Sequence, residues 1–129
     1  MQASPKMNPA LADVLEQIRQ ADLPQFMGVN LDRASIRSLT SGETPLHIVA
    51  IWGDVEAAKV LLDAGADIDA LGEEDHTPLH EAIHQGHIEM VRLLVGRGAD
   101  LQRRCSFGSA VELAARSANP EIAAAVQSA

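Results

Sequence analysis

Three segments of the chain carry apolar residues at the three- and four-residue spacing of an amphipathic helix. The first segment covers about 10–21, and the other two begin near Val55 and Ile88. The apolar positions are Leu11, Val14, Leu15 and Ile18; Val55, Ala58, Leu61 and Leu62; and Ile88, Val91, Leu94 and Val95. Because each stripe covers only one side of its helix, we predict three helices that pack against neighbours along that side.

The second and third stripes belong to a repeated unit. A Thr-Pro-Leu-His motif at 44–47 recurs 33 residues later at 77–80, and a Gly-Ala-Asp ending at 65–67 recurs at 98–100. Threonine followed by proline favours a helix start, and Gly53 and Gly86 are placed to end the first helix of each unit. A helix pair of this length cannot bury its apolar side alone, so neighbouring pairs must stack.

This motif, its period and its glycines resemble the ankyrin repeat family. The resemblance implies an all-α solenoid of stacked helix-turn-helix units with hairpin-like loops, in one domain over 1–129. We expect a flexible tail, an N-terminal cap in which Asp32 begins a short helix, two full repeats and a C-terminal capping repeat. Their expected bounds are 1–8, 9–41, 42–74, 75–104 and 105–129. The last unit is shortened by one residue and has Glu112 in place of the motif histidine.

Aromatic residues make up only 2% of the chain, which makes its single tryptophan conspicuous. Trp52 and Ile51 fall at the end of a first helix, where the repeat register pairs them with Gln85 and His84. In the family these positions resemble the variable lining of a concave groove, and an exposed tryptophan is a frequent binding hot spot. Two interpretations stay open: Trp52 contacts a partner, or residues 22–41 fold over it.

The net charge of −8 is unevenly distributed, because 42–74 contains eight acidic residues and a single lysine. An acidic surface disfavours nucleic acids and anionic membranes as partners and favours basic proteins. Glu43, Glu73 and Glu74 lie near the predicted hairpin tips, whereas Asp67 is expected to bond to local backbone. A merely solubilising acidic face is the alternative interpretation.

Histidines at 76, 80 and 84 have the four-residue spacing that brings side chains to one helical face, as a metal site would need. The resemblance instead gives the motif histidines, His47 and His80, the role of hydrogen-bonding struts between neighbouring turns. The single cysteine excludes an intramolecular disulfide, and no carboxylate pair or phosphate-binding loop stands out. We predict no metal, no cofactor and no enzymatic activity.

The resemblance implies a protein-interaction module, and the acidic repeat sharpens this to a small inhibitor or immunity-type protein that neutralises or regulates a basic partner. The alternative is a structural or regulatory subunit that stabilises or localises a partner enzyme through Trp52. No apolar leader or membrane span is evident, so we expect a cytoplasmic protein that is monomeric when free. The predicted partner-binding residues are Glu43, Ile51, Trp52, Glu73, Glu74, His76, His84 and Gln85.

Overall fold

The computed structural model describes residues 9–21, 23 and 42–127. Its helices are α1 (Pro9–Gln20), α2 (Pro45–Trp52), α3 (Val55–Asp63), α4 (Pro78–Gln85), α5 (Ile88–Gly96), α6 (Ala110–Arg116) and α7 (Pro120–Gln127). A single 3-10 turn, Glu73–Asp75, precedes α4, and strands β1 (Arg104–Cys105) and β2 (Gly108–Ser109) form an antiparallel hairpin before α6. The helices predicted from the three apolar stripes are confirmed. The expectations for 1–8 and 24–41, including a helix at Asp32 and a cover over Trp52, lie outside the described residues.

The helix pairs α2/α3, α4/α5 and α6/α7 stack in chain order. First helices pack on first helices, α2 on α4 and α4 on α6, while second helices pack as α3 on α5 and α5 on α7. The helix α1 packs mainly against α3 and covers the first pair. The all-α solenoid is confirmed, and in the described part of the chain its regular β structure is limited to the two-residue hairpin.

The core between these helices is built from aliphatic side chains. Leu46, Leu61, Leu79 and Leu94 are fully buried, and Ile122 closes the stack from α7. Among the described residues, the buried apolar set contains only Leu, Ile, Val, Ala, Met and Cys105. The scarcity of aromatic residues therefore follows from close packing between helices, where compact side chains fill the space.

The motif histidines connect each repeat to the next, as the resemblance implies. His47 Nδ1 accepts the Thr44 N–H at 3.0 Å, so Nε2 carries the proton and donates to the His76 carbonyl oxygen at 2.9 Å. His80 repeats the arrangement, with Nδ1 accepting from Thr77 N–H at 2.9 Å and Nε2 donating to the Arg103 carbonyl oxygen at 3.0 Å. Each buried imidazole thereby fixes the position of the following hairpin.

The last repeat replaces this link with a carboxylate. Glu112 Oε1 accepts the Ser109 N–H at 3.1 Å, and Arg104 Nη1 donates to the same oxygen at 2.9 Å. These two hydrogen bonds lower the pKa of Glu112, that from Ser109 being the larger cause. A carboxylate accepts at the helix start as the imidazole does, but it has no proton to donate to a carbonyl oxygen.

Candidate functional site

The loop before α4, which we call the first hairpin, holds acidic side chains in a constrained turn. At its base the Gly72 N–H donates to the His76 carbonyl oxygen at 2.8 Å. Glu73, Glu74 and Asp75 are all exposed. Glu74 (φ 56°) and Asp75 (φ 62°) have left-handed backbone, which side chains other than glycine and asparagine adopt at a cost. The turn is closed by the His76 N–H, which donates to the Glu73 carbonyl oxygen at 3.0 Å. The sequence therefore places carboxylates where a glycine would be easier to accommodate.

The next hairpin is fastened to this turn. The backbone N–H and the hydroxyl of Ser106 both donate to the Glu74 carbonyl oxygen, at 3.0 and 3.1 Å. On the other side, the Arg116 guanidinium donates to the Phe107 carbonyl oxygen and ties the second hairpin to α6. These bonds fix the position of Phe107 relative to the acidic side chains of the preceding turn.

Between these tips and α4 lies a depression of about 420 Å³, which we call the acidic depression. Five of its lining residues are among those predicted from sequence: Glu73, Glu74, His76, His84 and Gln85. Glu81, from the middle of α4, and Phe107, from the second hairpin, complete the lining. One concave surface thus brings together three glutamates, two imidazoles and an aromatic ring.

The charge of this surface is set by burial and by neighbouring carboxylates. Burial is the main cause of the raised pKa of Glu81; His76 lowers this pKa, and the nearby Glu43, Glu73 and Glu74 raise it further. Burial also lowers the pKa of His80 to about 4 and that of His84 below its usual value. These two imidazoles are neutral near pH 7, so they leave the negative charge of the glutamates in place.

Aromatic rings form one wall of the acidic depression. The His76 ring lies 5.0 Å from the His84 ring and 5.6 Å from the Phe107 ring, between centroids, and His84 and Phe107 are 5.8 Å apart in an edge-to-face arrangement. Phe107 is nevertheless 51% exposed. On the far side of the His84–Phe107 wall lies a second depression of about 400 Å³, the C-terminal depression, whose lining includes Ile83, Leu113 and Arg116.

Two of the predicted contact residues, Glu43 and His76, are largely buried. Glu43 and His76 are each only 6% exposed, and direct contact of either residue with a partner stays a prediction. The Glu43 side chain packs beside Gly72, where an added Cβ would be 3.0 Å from its Cγ. His76 donates from Nδ1 to the Glu73 carbonyl oxygen at 3.1 Å. Glu43 adds negative charge near Glu81, whereas His76 holds the turn and its ring forms part of the wall of the depression.

Trp52 lies apart from this lining, at the end of α2. Its side chain is 41% exposed, and Trp52 and Phe107 are the large exposed apolar side chains of the described residues. Ile51 is half-buried, and its carbonyl oxygen accepts a hydrogen bond of 2.9 Å from His87 Nε2. The backbone of Ile51 is therefore tied to the next repeat, whereas the Trp52 side chain presents apolar surface.

The hydrogen bonds of His80 bear on the alternative that the histidines at 76, 80 and 84 form a metal site. Both ring nitrogens of His80 are engaged with backbone groups, which leaves neither for coordination. Within the described ranges, no group of three or more His, Cys, Asp or Glu side chains is placed to hold a metal ion.

Asp67 accepts the Asp69 N–H at 3.0 Å, which confirms its expected hydrogen bond to local backbone.

The stacked helix pairs and histidine links define a repeat architecture, and comparison with known families names it. The family model for ankyrin repeats matches residues 11–105 in three copies, well over half of the chain. The chain belongs to the ankyrin repeat family. This match begins inside the segment that sequence analysis had set apart from the repeats, and no curated protein matches the chain.

Ankyrin repeats indicate a protein–protein interaction module, and the family consists in general of binding proteins without enzymatic activity. In the part of the chain that the structure describes, no helix is long and apolar enough to cross a membrane.

Sequence reasoning missed two lining residues, Glu81 and Phe107. Glu81 lies four positions before Gln85 and three before His84 on α4, so helical spacing alone would have placed all three on one face. Phe107 falls in the shortened last unit, where the repeat register gives no equivalent position. The rarity of aromatic residues could have identified it, because the chain has only two phenylalanines and a single tryptophan.

Proposed function

We propose that this ankyrin repeat protein acts by binding, as a small inhibitor or immunity-type protein that neutralises or regulates a basic partner through its concave and hairpin surface. The observation that carries the proposal is the convergence of Glu73, Glu74 and Glu81 on one depression beside the exposed Phe107. We further propose that the protein is cytoplasmic and monomeric before it binds.

The electrostatics support a cationic partner. Glu81 is half-buried among other carboxylates, and mutual repulsion is part of what raises its pKa. A lysine or arginine side chain entering the depression would relieve this repulsion and gain charge-assisted hydrogen bonds. The exposed acids of the turn would also attract a basic surface from a distance, which speeds association at low salt.

Capture from the protein's native cells tests this proposal. Immobilised wild-type chain, a Glu73→Lys/Glu74→Lys variant and a Glu56→Lys/Glu89→Lys variant are compared, with bound proteins identified by mass spectrometry. Glu56 and Glu89 lie in the first turns of the second helices α3 and α5 and are exposed, so the control changes the net charge equally on another surface. We expect a basic protein that binds the wild type and the control but not the first variant.

The activity of the captured protein then separates inhibition from a subunit role. Under the inhibitor proposal, adding the purified chain reduces that activity in proportion to complex formed. Loss of the captured protein from both double variants alike would contradict the role of the hairpin acids, because net charge alone would explain it.

The exposed Trp52 favours a second candidate, a structural or regulatory subunit that packs on its partner through this side chain. Apolar contacts of this kind are little affected by salt, unlike ion pairs. Under this candidate, Trp52→Ala abolishes capture, high salt leaves it intact, and the chain stabilises its partner without lowering the partner's activity. Full capture by the Trp52→Ala variant would exclude it.

A further inference from the structure

The acidic and C-terminal depressions are adjacent and share a wall. His84 and Phe107 contribute to both linings, so the two cavities, of about 420 and 400 Å³, meet at this pair of residues. Each cavity is open to solvent and large enough for one side chain of a bound segment. A partner that fills both cavities must place one side chain on each side of Phe107.

The two linings differ in chemistry. Glu73, Glu74 and Glu81 line only the acidic depression. Ile83 and Leu113 line only the C-terminal depression, where Arg116 is the one charged residue. The first cavity thus attracts a cation. The second has an apolar floor, formed by the largely buried Ile83 and Leu113, and disfavours a second cation beside the guanidinium of Arg116.

We propose that these depressions together form a docking site for a partner segment that presents a lysine or arginine beside an aliphatic side chain. This inference rests on the proposed function and specifies the partner's chemistry at the surface already described. The cationic group occupies the acidic depression and contacts the Phe107 ring, while the aliphatic group packs against Ile83 and Leu113. Phe107 lies between the two and contacts both.

The exposed ring of Phe107 fits a docking site. An acidic surface that only increased solubility would not need an exposed aromatic ring. An aromatic face next to carboxylates binds a cation by charge and by its quadrupole, and the ring's apolar edge packs against an aliphatic neighbour. Exposing such a ring to water is unfavourable, and a partner that covers it recovers that free energy.

The walls of both depressions are already fixed in the free chain. Ser106 holds the two hairpins together through the Glu74 carbonyl oxygen, and Arg116 holds the Phe107 backbone against α6. A preformed site loses little conformational entropy on binding, so a short peptide retains measurable affinity. This makes the proposal testable without the native partner.

A displayed library of random twelve-residue peptides, selected on the folded full-length chain, provides the test. We expect enriched peptides in which a lysine or arginine stands within two positions of Leu, Ile, Val or Met. A synthetic peptide from this set should bind Glu73→Lys/Glu74→Lys and Phe107→Ala at least about tenfold more weakly than wild type. Glu56→Lys/Glu89→Lys should bind it within about twofold of wild type, and thermal melting should confirm that all variants are folded.

Changes in the peptide separate the two cavities. Replacing its basic residue by glutamine should remove the effect of Glu73→Lys/Glu74→Lys, and replacing its aliphatic residue by serine should remove the effect of a Leu113→Ser variant. Enriched peptides without the basic–aliphatic pair, equal binding to all variants, or no enrichment would each overturn the inference. If the pair is absent but native capture still depends on Glu73 and Glu74, this inference fails while the proposed function stands.

Discussion

At the scale of single residues, the motif histidines act as neutral connectors whose two nitrogens have opposite roles. In His80 one nitrogen accepts a backbone N–H at the helix start and the other donates to the next hairpin. A protonated ring would lose the acceptor, so the link requires the uncharged form. The exchange of this histidine for Glu112 in the last unit removes the ring donor and keeps only an acceptor at the helix start.

The lowered pKa of His80 predicts an acid-dependent stability. Its pKa is about 4 in the fold against 6.5 for an unperturbed histidine, because burial disfavours the charged ring. Between these values the unfolded chain binds more protons, so the free energy of unfolding falls as pH drops from 6.5 towards 4. The full effect is at most about 3 kcal/mol.

Urea unfolding at pH 7 and pH 5 measures this effect. His80→Gln, which keeps a hydrogen-bond donor but cannot titrate, should be less stable than wild type at pH 7 and lose less stability between the two pH values. His84→Gln, at an exposed position, is the control and should change the slope less. An unchanged pH dependence in His80→Gln would contradict the neutral-link assignment.

Two turn glycines offer a matched pair of substitutions. Gly53 and Gly86 both have left-handed backbone, with φ 77° and 76°. An added Cβ at Gly53 would lie 2.8 Å from His87 Nδ1, whereas nothing lies within 4 Å of one at Gly86. Gly86→Ala should therefore cost about 1–2 kcal/mol from backbone strain alone. Gly53→Ala should cost more, because it also displaces the ring that bonds to Ile51.

Chemical denaturation of both variants, alone and with His87→Ala, checks this prediction. Removing the ring should bring the cost of Gly53→Ala close to that of Gly86→Ala and leave the latter unchanged. Equal costs in the presence of His87 would show that the ring moves aside freely.

At the scale of elements, the helices follow directly from the repeated pattern, whereas the hairpins do not. Apolar spacing, threonine–proline starts and Gly53 and Gly86 set the helix bounds, because these signals act within a few residues. The burial of Glu43 and the exposure of Phe107 depend on how one hairpin lies on the next. No local pattern encodes that packing, which is why the sequence predicted neither the burial of Glu43 nor the exposure of Phe107.

The left-handed turn of the first hairpin predicts a conflict between stability and binding. Asparagine and glycine accept this backbone more easily than Glu74 and Asp75 do. Glu74→Asn/Asp75→Gly should therefore raise the free energy of unfolding by about 1 kcal/mol. Because it also removes two carboxylates from the tip, the same variant should bind a basic partner more weakly.

Paired measurements on that variant distinguish a functional turn from an incidental one. Thermal melting gives the stability, and affinity for a peptide selected on the wild-type chain gives the binding. Higher stability with undiminished affinity would show that the acids at this tip take no part in recognition.

At the scale of the whole molecule, the acidic excess of the chain lies next to its concave surface. The acidic excess of 42–74 extends to the edge of a concave surface that Glu81 and Phe107 complete. Sequence indicated the solenoid and five of the seven lining residues. The repeat register indicates His84 and Gln85, the uneven charge indicates Glu73 and Glu74, and the histidine spacing singles out His76. It could not indicate that two cavities meet at Phe107, because this follows from the geometry of the last, irregular unit.

The central claim is that the hairpin carboxylates drive association with a basic partner, and stopped-flow kinetics test it most directly. Association of the captured partner is measured at low and high salt with wild type, Glu73→Lys/Glu74→Lys and Glu56→Lys/Glu89→Lys. We predict that the first variant associates at least about tenfold more slowly than the charge-matched control at low salt, and that high salt reduces the difference. Equal association rates for the two variants at low salt would contradict the claim.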